Sequence, residues 1–137
     1  MKYLRIFENH KLYKSLTSTE YLRCIDNHTI LTHSDRNLLE TKSDELGCEL
    51  NIAQVGSTHR MLARFLLKDD DNNRYPLIII TKVDDDYYLM RVSSCDDIFL
   101  PESEHYKCDQ VDGLNQFFRD KWNMILTIKK EIMKTWK

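Results

Sequence analysis

The stretch RYPLIIITKVDDDYYLMRV, Arg74–Val92, decides the fold that this sequence predicts. Two runs rich in β-branched and aromatic residues flank three aspartates, which is the pattern of two strands joined by a short polar turn. The first run is apolar at every position of Leu77–Ile80, so both of its faces need cover. The second run, Tyr87–Met90, shows the same feature. Either helices cover both faces of this hairpin, or one face is left for a partner.

Two further strands are expected upstream of this hairpin. Cys48–Val55 alternates polar and apolar residues, and Arg60–Lys68 does the same after the turn GSTH. The turn DDDNN then leads into the hairpin. Together these runs predict an antiparallel meander of four strands over Cys48–Ser94, and His105–Cys108 is a short candidate for a fifth.

Helices are expected on both sides of the meander in the sequence. Ser18 or Thr19 is positioned to cap a short helix that ends near Cys24. Ser34 is positioned to cap a second helix, and Gly47 to end it in a left-handed conformation.

A long C-terminal helix follows the meander. Asp109 is positioned to cap it, Asp112 lies in its first turn, and Gly113 allows a close approach to the sheet. One continuous apolar stripe runs along it at helical spacing: Val111, Leu114, Phe118, Trp122, Ile125, Ile128, Ile132 and Trp136.

These elements predict one α+β domain over residues 1–137. It has two N-terminal helices, an antiparallel four- to five-stranded meander, and a long C-terminal helix packed on the sheet. The contacts to the sheet are expected from Leu114, Phe118 and Trp122. The last turns of the helix extend past what a small sheet covers and could pack on something else.

Composition and charge limit the classes of protein to which this chain can belong. An apolar content of 42% and a charged content of 31% are typical of a soluble globular chain. No apolar run approaches the roughly 20 residues of a membrane span, so a cytoplasmic protein without membrane contact is expected. The net charge is −2, yet residues 69–112 carry four basic and twelve acidic side chains, whereas residues 113–137 carry six basic and two acidic.

The residues that could carry chemistry do not form a catalytic pattern. The segment YKCDQVDGL follows His105 and contains Cys108, but three positions along a strand place these two side chains on opposite faces. The turn DDDNN begins with calcium-loop spacing, and Arg74 and Ile80 then occupy the positions of the required glycine and glutamate. The four cysteines, Cys24, Cys48, Cys95 and Cys108, are far apart, as in a reduced chain. No catalytic residue, metal site or cofactor is expected.

Two quoted segments carry a resemblance. The strand DDYYLMRV with YKCDQVDGL and FF after it, and the N-terminal segment KYLRIFENHKLYKSLTSTEYL, are similar to small uncharacterised proteins of phages and large DNA viruses. The resemblance covers both ends of the chain and not the middle, and it transfers no catalytic residue. It implies a viral source, a host-cell cytoplasmic location and an accessory role.

Protein binding is therefore the expected function, through self-association as a homodimer or through a host factor. An aromatic anchor such as Trp136 is typical of interface hot spots. The predicted contacts are Ile128, Lys129, Lys130, Ile132, Lys134 and Trp136. The alternative is nucleic-acid binding through the basic residues of the same helix, Arg119, Lys121, Lys129, Lys130, Lys134 and Lys137.

Overall fold

The computed structural model describes residues 12–24, 32–55, 60–83, 87–93 and 104–136. Their elements follow in this order: β1 (Tyr13–Leu16), α1 (Ser18–Cys24), α2 (His33–Leu46), β2 (Glu49–Val55), β3 (Arg60–Lys68), β4 (Arg74–Val83), β5 (Tyr87–Val92), β6 (Glu104–Asp109) and α3 (Gln110–Lys134). The α+β class, the antiparallel sheet and the C-terminal helix packed on it are confirmed. The predicted strand end at Ser94 lies outside the described residues.

The strands form one six-stranded antiparallel sheet in the order β1-β6-β5-β4-β3-β2. The predicted meander is β2 to β5. The short strand expected at His105–Cys108 is β6, which lies inside the sheet because β1 pairs with its outer side. β1 was not predicted, since the four residues YKSL are too short to show a strand period.

The main core lies between one face of the sheet and the helices α2 and α3. The sheet contributes buried side chains that include Phe65, Ile78, Ile80, Tyr88 and Met90, and the helices contribute Leu39, Leu46, Leu114, Phe117, Phe118, Ile125 and Ile132. Of the three contacts expected from α3, Leu114 and Phe118 are fully buried, and Trp122 is partly buried against the core. Phe117 and Ile125 are fully buried beside them.

A smaller core covers part of the opposite face. Tyr21 of α1 packs with Val83 and Leu89, and Leu16 and Tyr87 lie against them. Helices therefore contact both faces of the sheet. This arrangement accounts for the apolar residues on both sides of β4 and β5.

The two N-terminal helices are capped by Thr17 and Thr32, neither of which was predicted to be a cap. The Glu20 amide donates to Thr17 Oγ1 at 3.1 Å, and the Thr17 amide donates to Glu20 Oε1 at 2.9 Å. Thr32 and Asp35 form the same reciprocal capping box at α2. The predicted caps, one or two residues later, are wrong. The predicted end of α2 is confirmed, because Gly47 has φ 67°.

The start of α3 is fixed by backbone contacts. Asp109 occupies the N-cap position, but its side chain makes no capping hydrogen bond, so the predicted cap is wrong in that respect. Its amide instead donates to Leu12 O at 2.7 Å. A Cβ atom on Gly113 would lie 2.3 Å from the same carbonyl oxygen. The close approach predicted for Gly113 is therefore to the chain that leads into β1.

Candidate protein-binding site

The apolar residues predicted to bind a partner pack on their own sheet. Ile132 is 2% exposed and belongs to the main core, and Ile128 is half-buried against it. The ring centroid of Trp136 lies 5.4 Å from that of Tyr75 at the start of β4. Within the described part of the chain, the buried Trp136 Nε1 has no hydrogen-bond partner. The end of α3 thus closes over its own sheet, and a role in binding a partner stays a prediction.

The lysines of the same segment are partly engaged within the chain. Lys129 Nζ donates to Leu46 O at 2.6 Å, where a cation satisfies a carbonyl at the C-terminal end of α2. Lys134 Nζ lies 3.1 Å from Glu131 Oε1. Lys130 is exposed, and Lys137 lies outside the described residues. A basic stripe for nucleic acid is therefore interrupted by contacts within the chain.

The strand β2 is an open edge of the described sheet. It pairs with β3 along its whole length, from Glu49 opposite Leu66 to Val55 opposite Arg60, and no described strand lies on its other side. Every second residue of such a strand directs its N–H and C=O groups away from the neighbour. These outward groups are available to pair with another strand.

The two edges of the sheet differ in how they are protected. β1 has four residues and carries Lys14, and natural edge strands are commonly short and charged in this way. β2 has seven residues, ELNIAQV, without lysine, arginine or proline. The lack of these residues is visible in the sequence and is a signal that β2 would be unprotected if it lay at an edge. That β2 is an edge could not be read there, because strand order is set by the fold.

A groove of about 320 Å³ lies between α2 and β2. Arg36, Glu40, Ser43 and Asp44 line it from α2, and Cys48, Glu49, Leu50 and Ile52 line it from the strand. Leu50 and Ile52 are half-buried, so apolar surface remains beside the open edge. A groove between an edge strand and a helix is a recurring geometry for binding an added strand.

The charges on the α2 side of the groove change sign along the helix. Arg36 stands near the N-terminal end, with its Nε 3.9 Å from Glu40 Oε1. Asp44 stands near the C-terminal end and is exposed, with no ion pair among the described residues. Glu49, on the strand side, is paired with Arg74 at 3.3 Å.

Two cysteines were considered as nucleophiles: Cys48, which lines the groove, and Cys108, which was a candidate from the sequence. Burial raises the pKa of Cys48 to about 11, although the positive charge of Lys129 partly opposes the shift. Burial, with the charge of Asp109, raises the pKa of Cys108 to about 12. Both thiols are therefore protonated at neutral pH and are poor nucleophiles. Cys108 faces Met90 in the main core, with its Sγ 3.5 Å from Met90 Sδ.

The imidazole of His105 lies on the other face of the sheet from Cys108, as the strand alternation predicts. Its ring centroid is 4.7 Å from that of Tyr21 in the smaller core. Burial, with the nearby charge of Arg91, lowers the pKa of His105. The pair does not meet and cannot share a proton.

Among the described residues, a buried ion pair between α2 and the sheet resembles catalytic machinery. Lys82 Nζ lies 2.8 Å from Asp35 Oδ2, and the Tyr88 hydroxyl donates to Asp35 Oδ1. Burial alone would raise the pKa of Asp35, but hydrogen bonds from Lys82, Tyr88 and Thr32 outweigh it and leave that pKa below its usual value. Burial and the Asp35 carboxylate raise the pKa of Tyr88. All three groups are satisfied by one another, which is the arrangement of a structural contact.

The acidic turn at residues 69–73 is held by its own hydrogen bonds. Asp69 Oδ1 accepts the amides of Asp71 and Asn73 at 2.9 and 2.8 Å, and its Oδ2 accepts the Tyr75 hydroxyl at 2.9 Å. This matches the predicted solvated turn. Within the described ranges, no group of three or more His, Cys, Asp or Glu side chains could hold a metal ion. The second acidic turn, residues 84–86, lies outside those ranges.

We found no family model, curated protein or solved structure that matches this chain. No helix in the described part of the chain is long and apolar enough to cross a membrane.

Proposed function

We propose that this protein acts by binding protein, with a second copy of the same chain as its partner, joined edge to edge through β2. The observation that carries the proposal is the open seven-residue edge without lysine, arginine or proline, beside a groove lined by half-buried Leu50 and Ile52. Natural sheets usually block such an edge. A β2 strand from a second copy would satisfy the outward backbone groups and cover the exposed apolar surface.

The sequence of β2 suits antiparallel pairing with itself. A two-fold axis through the middle residue uses the full length of the strand and gives an isologous contact. That register sets Glu49 opposite Val55, Leu50 opposite Gln54, Asn51 opposite Ala53 and Ile52 opposite Ile52. No like charges oppose each other in it. The two Ile52 residues meet on the helix-covered side, where each is half-buried in the single chain.

The charges of α2 fit the same two-fold arrangement. The axis runs the two α2 helices antiparallel, so Arg36 of one copy approaches Asp44 of the other. Two such pairs form in each dimer, and complementary charges of this kind favour one register over others. A hydrophobic strand of another protein would gain the backbone pairing but not this charge match.

The charge match can be tested by reversing it. We expect Asp44→Lys to weaken the dimer about tenfold or more, because two attractions between copies become repulsions. Lysine near the C-terminal end of α2 favours the helix, so the fold should be kept. The measurement is the solution mass by sedimentation equilibrium over a range of protein concentrations.

A matched control and a rescue make this test specific. Glu45→Lys changes the same charge one residue away, outside the groove, and should leave the mass unchanged. Arg36→Asp combined with Asp44→Arg restores opposite charges and should restore the dimer. A wild-type chain that remains a monomer at high concentration would contradict the proposal. Equal weakening by Glu45→Lys would show that only net charge matters.

An accessory viral role, a host partner and nucleic-acid binding stay proposals beside this one. The resemblance to viral accessory proteins suggests an accessory role and says nothing about the edge. A host factor could use β2 in place of a second copy, and a pull-down in which Asp44→Lys and Glu45→Lys behave alike would favour that partner. Nucleic-acid binding through α3 is tested by adding labelled DNA and RNA at low and physiological salt.

A further inference from the structure

A row of side chains that includes two arginines, a histidine and an asparagine crosses the face of the sheet opposite α2 and α3. Cross-strand pairing sets these residues directly beside one another, from β1 to β2: Leu16, His105, Arg91, Ile79, Arg64 and Asn51. Directly paired residues share a face, so the row is continuous. Arg91 and Arg64 lie two strands apart, about 10 Å at the backbone, with Ile79 between them.

Several polar groups of this row have no hydrogen-bond partner among the described residues. Arg91 is half-buried and makes no hydrogen bond or ion pair in the part of the chain that the structure describes. Arg64 Nη2 donates to Asn51 Oδ1 at 2.8 Å, but Arg64 Nε is buried with no partner there. His105 is 4% exposed, and its Nε2 also has no partner among the described groups. Buried polar groups are nearly always satisfied, so unpartnered groups along one row make it a candidate binding surface.

The charges around the row favour an anion. Lys14 and Lys107 lie on the same face in the next row, where Lys107 Nζ is 4.1 Å from the centroid of the Tyr87 ring. The row itself contains no acidic residue. A chain of net charge −2 thus places basic side chains together on this face of the sheet.

We propose that Arg91 and Arg64, with His105 beside them, bind a phosphate group on this face of the sheet. Arg91 and Arg64 stand on the strands on either side of Ile79, and their guanidinium groups carry the planar, forked donors that suit phosphate oxygens. Tyr21, whose ring packs against His105 at 4.7 Å, forms the wall at the α1 end. The site is on the face away from the groove and does not depend on the proposed dimer.

The direct test is a titration of the ¹⁵N-labelled wild-type protein with inorganic phosphate, followed by NMR. We expect saturable shifts of the Arg91 and Arg64 side-chain signals, of the His105 ring and of the backbone amides of their row. Sodium chloride at matched ionic strength should not reproduce them. Shifts that are absent, that do not saturate, or that chloride reproduces would overturn the proposal.

Substitutions in the row test whether phosphate binds there. Arg91→Gln and Arg64→Gln should each weaken phosphate binding about tenfold or more, since each removes charge-assisted hydrogen bonds. Arg119→Gln is the matched control, because it makes the same change on α3 at a side chain that is 72% exposed. Equal losses at Arg119 and Arg91 would contradict the site. If a row variant does not fold, the wild-type titration alone decides.

Further ligands separate the sources of the phosphate. Equal affinity for inorganic phosphate and a nucleoside monophosphate would mean that the phosphate alone is recognised, and tighter binding of the nucleotide would add a contact to its base or sugar. Acetate binding as tightly as phosphate would contradict the assignment to phosphate.

Discussion

Asp35 is the buried acid that ties α2 to the sheet. Its carboxylate completes the capping box of α2 by accepting the Thr32 amide, and it also accepts hydrogen bonds from Lys82 and Tyr88. The residue is only 2% exposed. Removing one partner of such a pair leaves the other charge buried without compensation. Its effect should therefore be large for a single side chain.

We expect Asp35→Asn to lower the free energy of unfolding by about 3 kcal/mol at neutral pH. The pKa of Asp35 is lowered in the folded state. Its contribution is therefore complete above the unfolded pKa of about 3.9 and is lost as the pH falls through the folded pKa. The gap between wild type and Asp35→Asn, measured by urea unfolding, should be constant from pH 8 to 5 and shrink below about pH 4.

The exposed turn residue Asp70 provides the matched control. Asp70→Asn should change the free energy of unfolding by less than about 0.5 kcal/mol. A gap for Asp35→Asn that stays constant down to pH 2 would show that the carboxylate charge does not carry the effect.

At the residue scale, features set by neighbouring residues were predictable from the sequence, and features set by contacts between distant residues were not. The opposite orientations of Cys108 and His105 follow from strand alternation alone, and so were predictable. The contact between Asp35 and Lys82 was not, because 47 positions separate them and only the packing of α2 on β4 brings them together. The capping threonines were missed because a serine lay within two residues of each, and both residue types serve as caps.

At the scale of elements, α3 is positioned by its first turn. Alanine normally stabilises a helix interior over glycine by up to about 1 kcal/mol. At Gly113 we expect the opposite sign, with Gly113→Ala destabilising by about 1–3 kcal/mol, because the new Cβ meets the Leu12 carbonyl. Thermal or urea unfolding measures this change.

The control for this prediction lies on the exposed side of the same helix. Asn123→Ala should be neutral or slightly stabilising, since alanine is the better helix former. A Gly113→Ala variant as stable as wild type would mean that α3 does not approach Leu12 this closely.

The end of α3 gives a second prediction at this scale. We expect Trp136→Ala to lower the free energy of unfolding by about 1–3 kcal/mol, less than for a fully buried tryptophan, because the ring packs on Tyr75 and is half-buried. It should leave the solution mass unchanged. A loss of dimer with unchanged stability would instead support the interface first predicted from the sequence at Ile128, Ile132 and Trp136.

Most elements were predictable because each carries a local signal. The strands β2 to β5 alternate or are β-branched and lie between polar turns, and the stripe of α3 spans seven turns. β1 has no such signal, since its place depends on pairing with β6, which lies about ninety residues away. The sequence also could not show that the stripe of α3 is covered to its end, since that depends on the tertiary contact of Trp136 with Tyr75 at the start of β4.

At the scale of the whole molecule, the surface that we propose to be functional is the edge of the sheet at β2. The structure packs the apolar end of α3 on its own sheet and gives β2 only one neighbour among the described strands. Strand order alone decides which strand has one neighbour, and no local pattern encodes it. Self-pairing through β2 would extend the sheet to twelve strands and leave the phosphate site of each copy accessible on the far face.

The most direct test of that central claim is residue-resolved amide hydrogen exchange of β2 as a function of protein concentration. Every second amide, bonded to β3, should be protected at all concentrations. The alternate amides, which face outward, should exchange quickly in dilute protein and become protected as the concentration rises. In Asp44→Lys this protection should be weaker at the same concentration, and in Glu45→Lys it should equal that of wild type. Outward amides that exchange quickly at every concentration would contradict pairing through β2.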